Sequence, residues 1–257
     1  MDVVILCGGK GMRMREYSER IPKPLVTVGD RPIIWHIMKT YYHYGYDHFI
    51  LCLGYKGELI KQYFANMLIL NRNFTITMCD DDYKIKYLDG EKEKWSITLV
   101  DTGLEAKTAT RLKRVSDYIE GEEFFMTYGD GLSDVNINDL LEYHKNKGTY
   151  VTLTGINPVS TFGELKTNNG IVENFEEKPI KDTIINGGYM VINKKALNYI
   201  PNEDCMFEQE PLRSLVKDRQ VSVFNHYGFW KAVDTAKDVE DINNLYNAGE
   251  GKWKIWE

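Results

Sequence analysis

The chain has 257 residues, of which 43% are hydrophobic, 27% charged and 12% aromatic. These proportions exclude a disordered, fibrous or collagen-like protein, and the length suits one large or two small domains. There are 32 basic and 38 acidic residues, a formal charge of −6, and no run of Lys and Arg stands out. Nucleic acid is therefore not an expected partner.

An anionic ligand would need a local group of basic residues or a metal to hold it. The cysteines, Cys7, Cys52, Cys79 and Cys205, form no CxxC pair, so neither a zinc site nor a disulfide framework is expected. Met1 to Gly9 lacks the basic start and long apolar run of a signal peptide. No apolar segment approaches the ~20 residues of a membrane span. A reduced, cytoplasmic setting away from membranes is the expectation.

In chain order, Val3 to Leu6 is an apolar run of the buried parallel-strand kind, broken by Gly8-Gly9-Lys10-Gly11. Ile33, Ile34, Ile37, Met38 and Tyr41 predict a helix over 32–44. His48 to Leu53 predicts a second buried strand, and Glu58 to Met67 a second helix. This rhythm implies a parallel sheet with right-handed crossovers. Two alternating runs, Phe74 to Met78 and Lys84 to Leu88, with a turn signal at Asp89-Gly90, predict an inserted β element.

The α/β rhythm then resumes. Strands are expected over 96–100, 123–128 and 150–156, and helices over 110–118 and 137–144. Hairpins follow around Asn168-Asn169-Gly170, then a strand over 187–193 and a closing helix over 236–246. The fold class is α/β: one domain, 1–257, with a mostly parallel central sheet flanked by helices and inserted β hairpins.

Two segments carry the first chemical signal. Glycines straight after the first strand, in Leu6-Cys7-Gly8-Gly9-Lys10-Gly11-Met12-Arg13, let backbone amides approach an anion. Arg13 can fork onto phosphate oxygens. A tight strand-to-helix turn is the plainer reading. In Pro22-Lys23-Pro24-Leu25, two prolines stiffen the chain around one lysine, which can point back at the glycine loop.

Two aspartates add a second signal. Asp130 stands just past the buried strand 123–128, where ligands bind in open parallel sheets. A carboxylate there can hold Mg²⁺ against a nucleotide phosphate, or be a solvated turn residue. Asp234 follows apolar Ala232-Val233 before a helix, where an N-cap role is common. The five histidines share no spacing and none is assigned to catalysis.

Gly-Gly-x-Gly-x-Arg followed by x-Pro-Lys-Pro resembles the N-terminal signature of sugar-phosphate nucleotidylyltransferases. The resemblance runs the whole chain. It covers Trp35 to Lys39, Gly54 to Gly57, Leu99 to Gly103, Arg111 to Val115 and Thr127 to Gly131. It continues through Glu177-Lys178-Pro179, Ile185 to Gly188, Glu208 to Leu212 and the ending Trp253-Lys254-x-Trp256-Glu257. These later motifs are similar to the cytidylyltransferase branch that uses glucose 1-phosphate.

The resemblance implies an enzyme that joins CTP and a sugar 1-phosphate, giving CDP-glucose and pyrophosphate when the acceptor is α-D-glucose 1-phosphate. Another sugar 1-phosphate or phosphoglutamine is the alternative acceptor. It implies Mg²⁺ on Asp130 and Asp234, and a homo-oligomer. Nucleotide binding falls to Leu6, Gly8, Gly9, Gly11, Met12, Arg13, Lys23, Thr108, Arg111 and Asp130, with Arg13 and Lys23 catalytic. The acceptor falls to Lys178, Asn186, Gly187 and Glu208, with Glu208 on an expected helix.

The chain departs from that family at several places. Met12 and Met14 replace Thr and Leu, Ile21 replaces a lysine, and Phe162-Gly163-Glu164-Leu165-Lys166 carries charge where the family is small. Ala109-Thr110 replaces two glycines, which predicts a narrower nucleotide loop favouring a pyrimidine.

Overall fold

The computed structural model describes residues 1–11, 21–79, 82–88, 93–160 and 162–256. Met12, Arg13, Met14 and the Asp89-Gly90 pair lie outside the described residues. The chain begins with β1 (Val3–Leu6), all four residues buried. A 3₁₀ turn at Lys23–Leu25 and a small ladder of β2 (Thr27–Val28) and β3 (Arg31–Pro32) lead into α1 (Ile33–His43). Its five apolar positions read from the sequence are all fully buried.

β4 (His48–Leu53) and α2 (Gly57–Asn71) follow, the helix running four residues past its expected end. β5 (Phe74–Cys79) and β6 (Asp82–Tyr87) form the inserted hairpin. Its connection falls between Cys79 and Asp82.

β7 (Ser96–Asp101) leads to α3 (Thr108–Arg114), which starts earlier than expected and breaks into a 3₁₀ turn at Ser116–Tyr118. Then come β8 (Glu123–Tyr128), β9 (Gly131–Ser133), α4 (Ile137–Lys147) and β10 (Val151–Ile156). β11 (Glu164–Asn168) and β12 (Ile171–Glu176) form a second hairpin. Asn169 and Gly170 hold φ of 48° and 82° in its two-residue turn, the conformation that Asn-Gly supplies.

β13 (Ile185–Asn193), α5 (Glu210–Lys217), β14 (Val221–His226), β15 (Trp230–Ala232) and α6 (Ala236–Asn247) complete the order. The central sheet runs β14-β10-β13-β8-β1-β4-β7. All neighbours are parallel except β13, which is antiparallel to both β10 and β8.

Alternate residues of β1 feed two cores. Val3 and Ile5 pack with α1, α4 and α6, whereas Val4 and Leu6 pack with α3 and α5. Both faces of the sheet are thus covered. That explains why its strands read as continuous apolar runs rather than alternating ones.

Candidate active site

The carboxyl ends of β1 and β8 stand side by side, with Leu6 opposite Tyr128. Two cavities open there, of about 320 Å³ and 470 Å³. Both are lined by Thr108, Tyr128, Asp130 and Met206. The first also takes in Leu6, Gly9, Gly11, Lys23 and Arg111. The second takes in Asn186, Gly187, Glu208, Trp230 and Asp234. One cleft therefore gathers most of the residues expected to bind nucleotide and acceptor.

Lys23, Asp130 and Asp234 come together at the centre. Lys23 Nζ donates to Asp130 Oδ2 at 2.7 Å and to Asp234 Oδ1 at 2.6 Å. The meeting of the two aspartates rests on a small antiparallel ladder. Ala232 of β15 pairs with Gly131 of β9, and Val233 N donates to Asp130 O at 2.9 Å. Asp130, just before Gly131, and Asp234, just past Ala232, therefore stand at the same end of that ladder.

Helix capping falls to Thr235, whose Oγ1 accepts from Asp238 N at 3.2 Å, so Asp234 is not the N-cap. Burial alone would lower the Lys23 pKa, but its ion pairs and hydrogen bonds with Asp130 and Asp234 outweigh burial and the net shift is upward. The lysine is a fixed cation at working pH.

The same arrangement tests a metal. Two carboxylate oxygens already converge on one cation, the Lys23 ammonium. Among the described residues, no group of three or more His, Cys, Asp or Glu could hold a metal ion. Two carboxylates completed by water and phosphate oxygens suit Mg²⁺, which rarely takes an all-protein cage. The donor set fits a divalent cation brought with a phosphate.

Arg111 behaves differently from its expected role. Its Nη1 donates to Leu53 O at 2.9 Å, Thr102 Oγ1 at 2.8 Å and Gly103 O at 2.8 Å. Nη2 donates to Gly8 O at 3.0 Å and Leu104 O at 3.3 Å. The guanidinium thus ties together the loops after β1, β4 and β7. Gly8 and Gly54 make room for it: a Cβ at either would come within 2.1 Å or 2.4 Å of Arg111 Nη1. Gly8 faces Arg111, while Gly9 and Gly11 line the cavity.

Ala109 is fully buried among the residues of the second core, and Thr110 bonds Asp204. Neither side chain narrows the cavity, which corrects the expectation built on them. Thr108, at the start of α3, donates to Glu208 Oε2 at 2.7 Å and accepts from Phe207 N at 2.7 Å. The Tyr128 hydroxyl donates to the other oxygen of the same carboxylate. Burial, then the Glu208 charge, pushes the Tyr128 pKa far up, so it remains a donor.

Glu208 precedes α5, which starts at Glu210, so it is not on a helix as expected. Its carboxylate joins the two halves of the cleft. Asn186 also bonds Tyr128, and its Oδ1 accepts from Gly188 N at 2.9 Å. The Tyr128 ring sits where a Cβ on Gly188 would meet it at 2.6 Å.

Lys178 is not among the residues lining either cavity. It holds φ of 48° just past β12, with Nζ 4.0 Å from Glu177 Oε1 and its side chain largely in solvent. Sequence reasoning missed Tyr128, Met206 and Trp230. Tyr128 could have been found as the strand-end neighbour of Asp130. Trp230, whose Nε1 donates to Gly187 O at 2.7 Å, reaches the cleft through the β9–β15 ladder, which no local pattern announces.

The chain is 46% identical over 257 residues to a probable glucose-1-phosphate cytidylyltransferase of Bacillus subtilis (strain 168), covering both sequences in full. It is 41% identical over 259 residues to a glucose-1-phosphate cytidylyltransferase of Salmonella typhimurium (strain LT2), again in full.

Among solved structures, HddC from Yersinia pseudotuberculosis complexed with GMP-PN superposes with a TM-score of 0.68 at 21% identity. That match covers 95% of this chain and 99% of that one. UDP-glucose pyrophosphorylase complexed with UDP-glucose gives 0.69 at 13% identity, covering 96% and 98%. Likeness at these identities bears on the fold alone. Residues 2–249 match the nucleotidyl transferase family, whose members generally use a divalent metal. The chain belongs to the nucleotidyl transferase family.

Proposed function

We propose that this enzyme is a cytidylyltransferase that joins CTP and α-D-glucose 1-phosphate to give CDP-glucose and pyrophosphate. The observation that carries this reading is full-length similarity, at 46% and 41% identity, to glucose-1-phosphate cytidylyltransferases. The convergence of Lys23, Asp130 and Asp234 at the strand ends supports the chemistry.

In this reading an acceptor phosphate oxygen attacks the α-phosphorus of CTP in line and pyrophosphate leaves. Phosphate is a competent nucleophile, so the protein's tasks are positioning and charge neutralisation. Gly9 and Gly11 line the cavity, and their amides would take the β and γ phosphates. Met12 and Arg13 keep the phosphate role implied by the sequence. Lys23 offsets charge at the α-phosphate, and Asp130 and Asp234 would hold Mg²⁺. The ion would orient the α-phosphate and stabilise charge on the leaving group.

Asn186, Gly187 and Glu208 form the acceptor half. Lys178 would have to swing in from solvent to reach the acceptor phosphate. The hairpin bearing Glu164, Leu165 and Lys166 is exposed and does not line the cleft. No described helix is long and apolar enough to cross a membrane. The reading extends to a single 1–257 catalytic unit, a cytoplasmic setting, homo-oligomerisation and a product used in polysaccharide biosynthesis.

Pyrophosphate release over a matrix of triphosphates and phosphate acceptors tests this. CTP with glucose 1-phosphate should be fastest, with ATP and GTP nearly inert. A site that bonds the cytosine amino group leaves a buried polar group unpaired against uracil. UTP should therefore fall behind by about tenfold to a hundredfold in kcat/KM. Equal use of UTP or dTTP, or a better acceptor such as phosphoglutamine, would overturn the assignment.

A further inference from the structure

Lys23 lies deeper than the carboxylates it bridges. Its side chain is 11% exposed, against 35% for Asp130 and 39% for Asp234. Its ammonium lies between the two carboxylates that a divalent cation would need. Among the described residues, the pair belongs to no group of three or more His, Cys, Asp or Glu able to hold a metal. A bare dication would therefore meet two ligands already half neutralised, with a positive charge within contact distance. At such separations like charges repel by several kcal/mol even at an effective dielectric of about 20.

The lysine has somewhere else to go. It lines the same cavity as Gly9 and Gly11, and Pro22 and Pro24 flank it at the 3₁₀ turn. We propose that Lys23 is the resident counter-ion of the Asp130–Asp234 pair in the substrate-free enzyme. A divalent cation gains that pair only as the ammonium leaves for the triphosphate. Cation and nucleotide then load as one unit, and the metal does not bind ahead of it. The proposal rests on the cytidylyltransferase reading of the cleft for the identity of the triphosphate only. The swap moves two charges and breaks no bond.

The test uses Mn²⁺ alone, counted by the EPR signal of the free ion, on the full chain with no nucleotide or acceptor present. The wild type should bind it only weakly at this site. Lys23→Met, nearly the same volume without the charge, should bind it roughly tenfold or more tightly. Lys23→Arg keeps the charge and should stay weak. Lys107→Met removes an exposed lysine from the rim of the same cavity and should change little.

Tight, stoichiometric Mn²⁺ binding by the wild type overturns the proposal, whatever the variants do. So does a Lys23→Met protein that folds but gains no affinity, or a Lys107→Met protein that gains as much. Because the titration contains no substrate, a failed cytidylyltransferase assignment leaves its answer intact. Conversely, a failed titration leaves the turnover matrix intact.

Discussion

Arg111 illustrates how a residue can belong to a nucleotide-binding motif and still work on the protein itself. Its guanidinium serves four backbone carbonyls and one threonine hydroxyl, all in loops that frame the cleft. Arg111→Met would remove all five of these hydrogen bonds, with Thr102 still donating to Leu53 O and Tyr55 N to Gly8 O. It should cost roughly 2–4 kcal/mol of stability, read from urea unfolding. A loss below about 0.5 kcal/mol, typical of a surface change, would sink the structural role.

Asp130 makes the opposite case. It is partly open to solvent and faces Lys23, so Asp130→Asn should fold normally. Its kcat should drop about a hundredfold or more, since one preorganised charge contact in such a site is worth about 3 kcal/mol. A folded Asp130→Asn enzyme with near-normal Mg²⁺-dependent turnover would remove the aspartate from the site.

At the scale of elements, α1 anchors the chain's end. His36 is buried on that helix, with Nε2 2.9 Å from Val28 O. Trp253 Nε1 donates to its Nδ1 at 3.4 Å. Only the neutral ring with its proton on Nε2 satisfies both. Burial is the main cause that lowers its pKa from 6.5 to about 4, with the Val28 hydrogen bond opposing.

Well above pH 6.5 the ring is neutral in both the folded and the unfolded chain. Between 6.5 and about 4 the unfolded chain takes up a proton that the folded one refuses. Stability should therefore fall with acidity, by about 1.4 kcal/mol per pH unit. Going from pH 7 to pH 5 should lose about 2 kcal/mol from this residue. Urea titrations of the wild type and His36→Gln at both values check it. The variant should lose that much less, and parallel losses would mean that the ring is already charged in the fold. The Trp-x-x-Trp ending that looked like a family label is thus a lid on α1, with Trp256 5.9 Å from Trp35 between ring centroids.

The whole molecule exposes more apolar surface than its core logic requires. The β11–β12 hairpin carries Leu165, Ile171, Val172 and Phe175 in solvent, with Phe162 beside it. A two-stranded ribbon of this kind is marginal by itself, and contiguous apolar surface marks a contact. The chain should sediment as an oligomer. Val172→Lys with Phe175→Lys should shift the mass toward monomer in analytical ultracentrifugation while the central sheet's far-UV CD stays intact. A wild type that is monomeric at micromolar concentration would leave the hairpin unexplained.

The parts of the fold legible in the sequence are those governed by neighbours along the chain. β1, β4 and β8 were readable because burial on both faces leaves a continuous apolar run. α1 was readable because its core stripe recurs at helical spacing. The Asn169-Gly170 turn was readable because only such residues take those backbone angles. Lys23 and Asp130 were legible because prolines and a strand end mark their surroundings.

Other features depended on contacts that no local pattern encodes. β14 mixes apolar and polar residues, and the β9–β15 ladder is only three residues long. They exist because distant strands offer hydrogen bonds, and through them Asp234 and Trp230 reach the cleft. The use of Arg111 on carbonyls, Ala109 turned into the core and Glu208 shared between Thr108 and Tyr128 were likewise decided by packing. A side chain's type limits what it can bond, whereas the partner it bonds is chosen only when the whole sheet has brought the loops together.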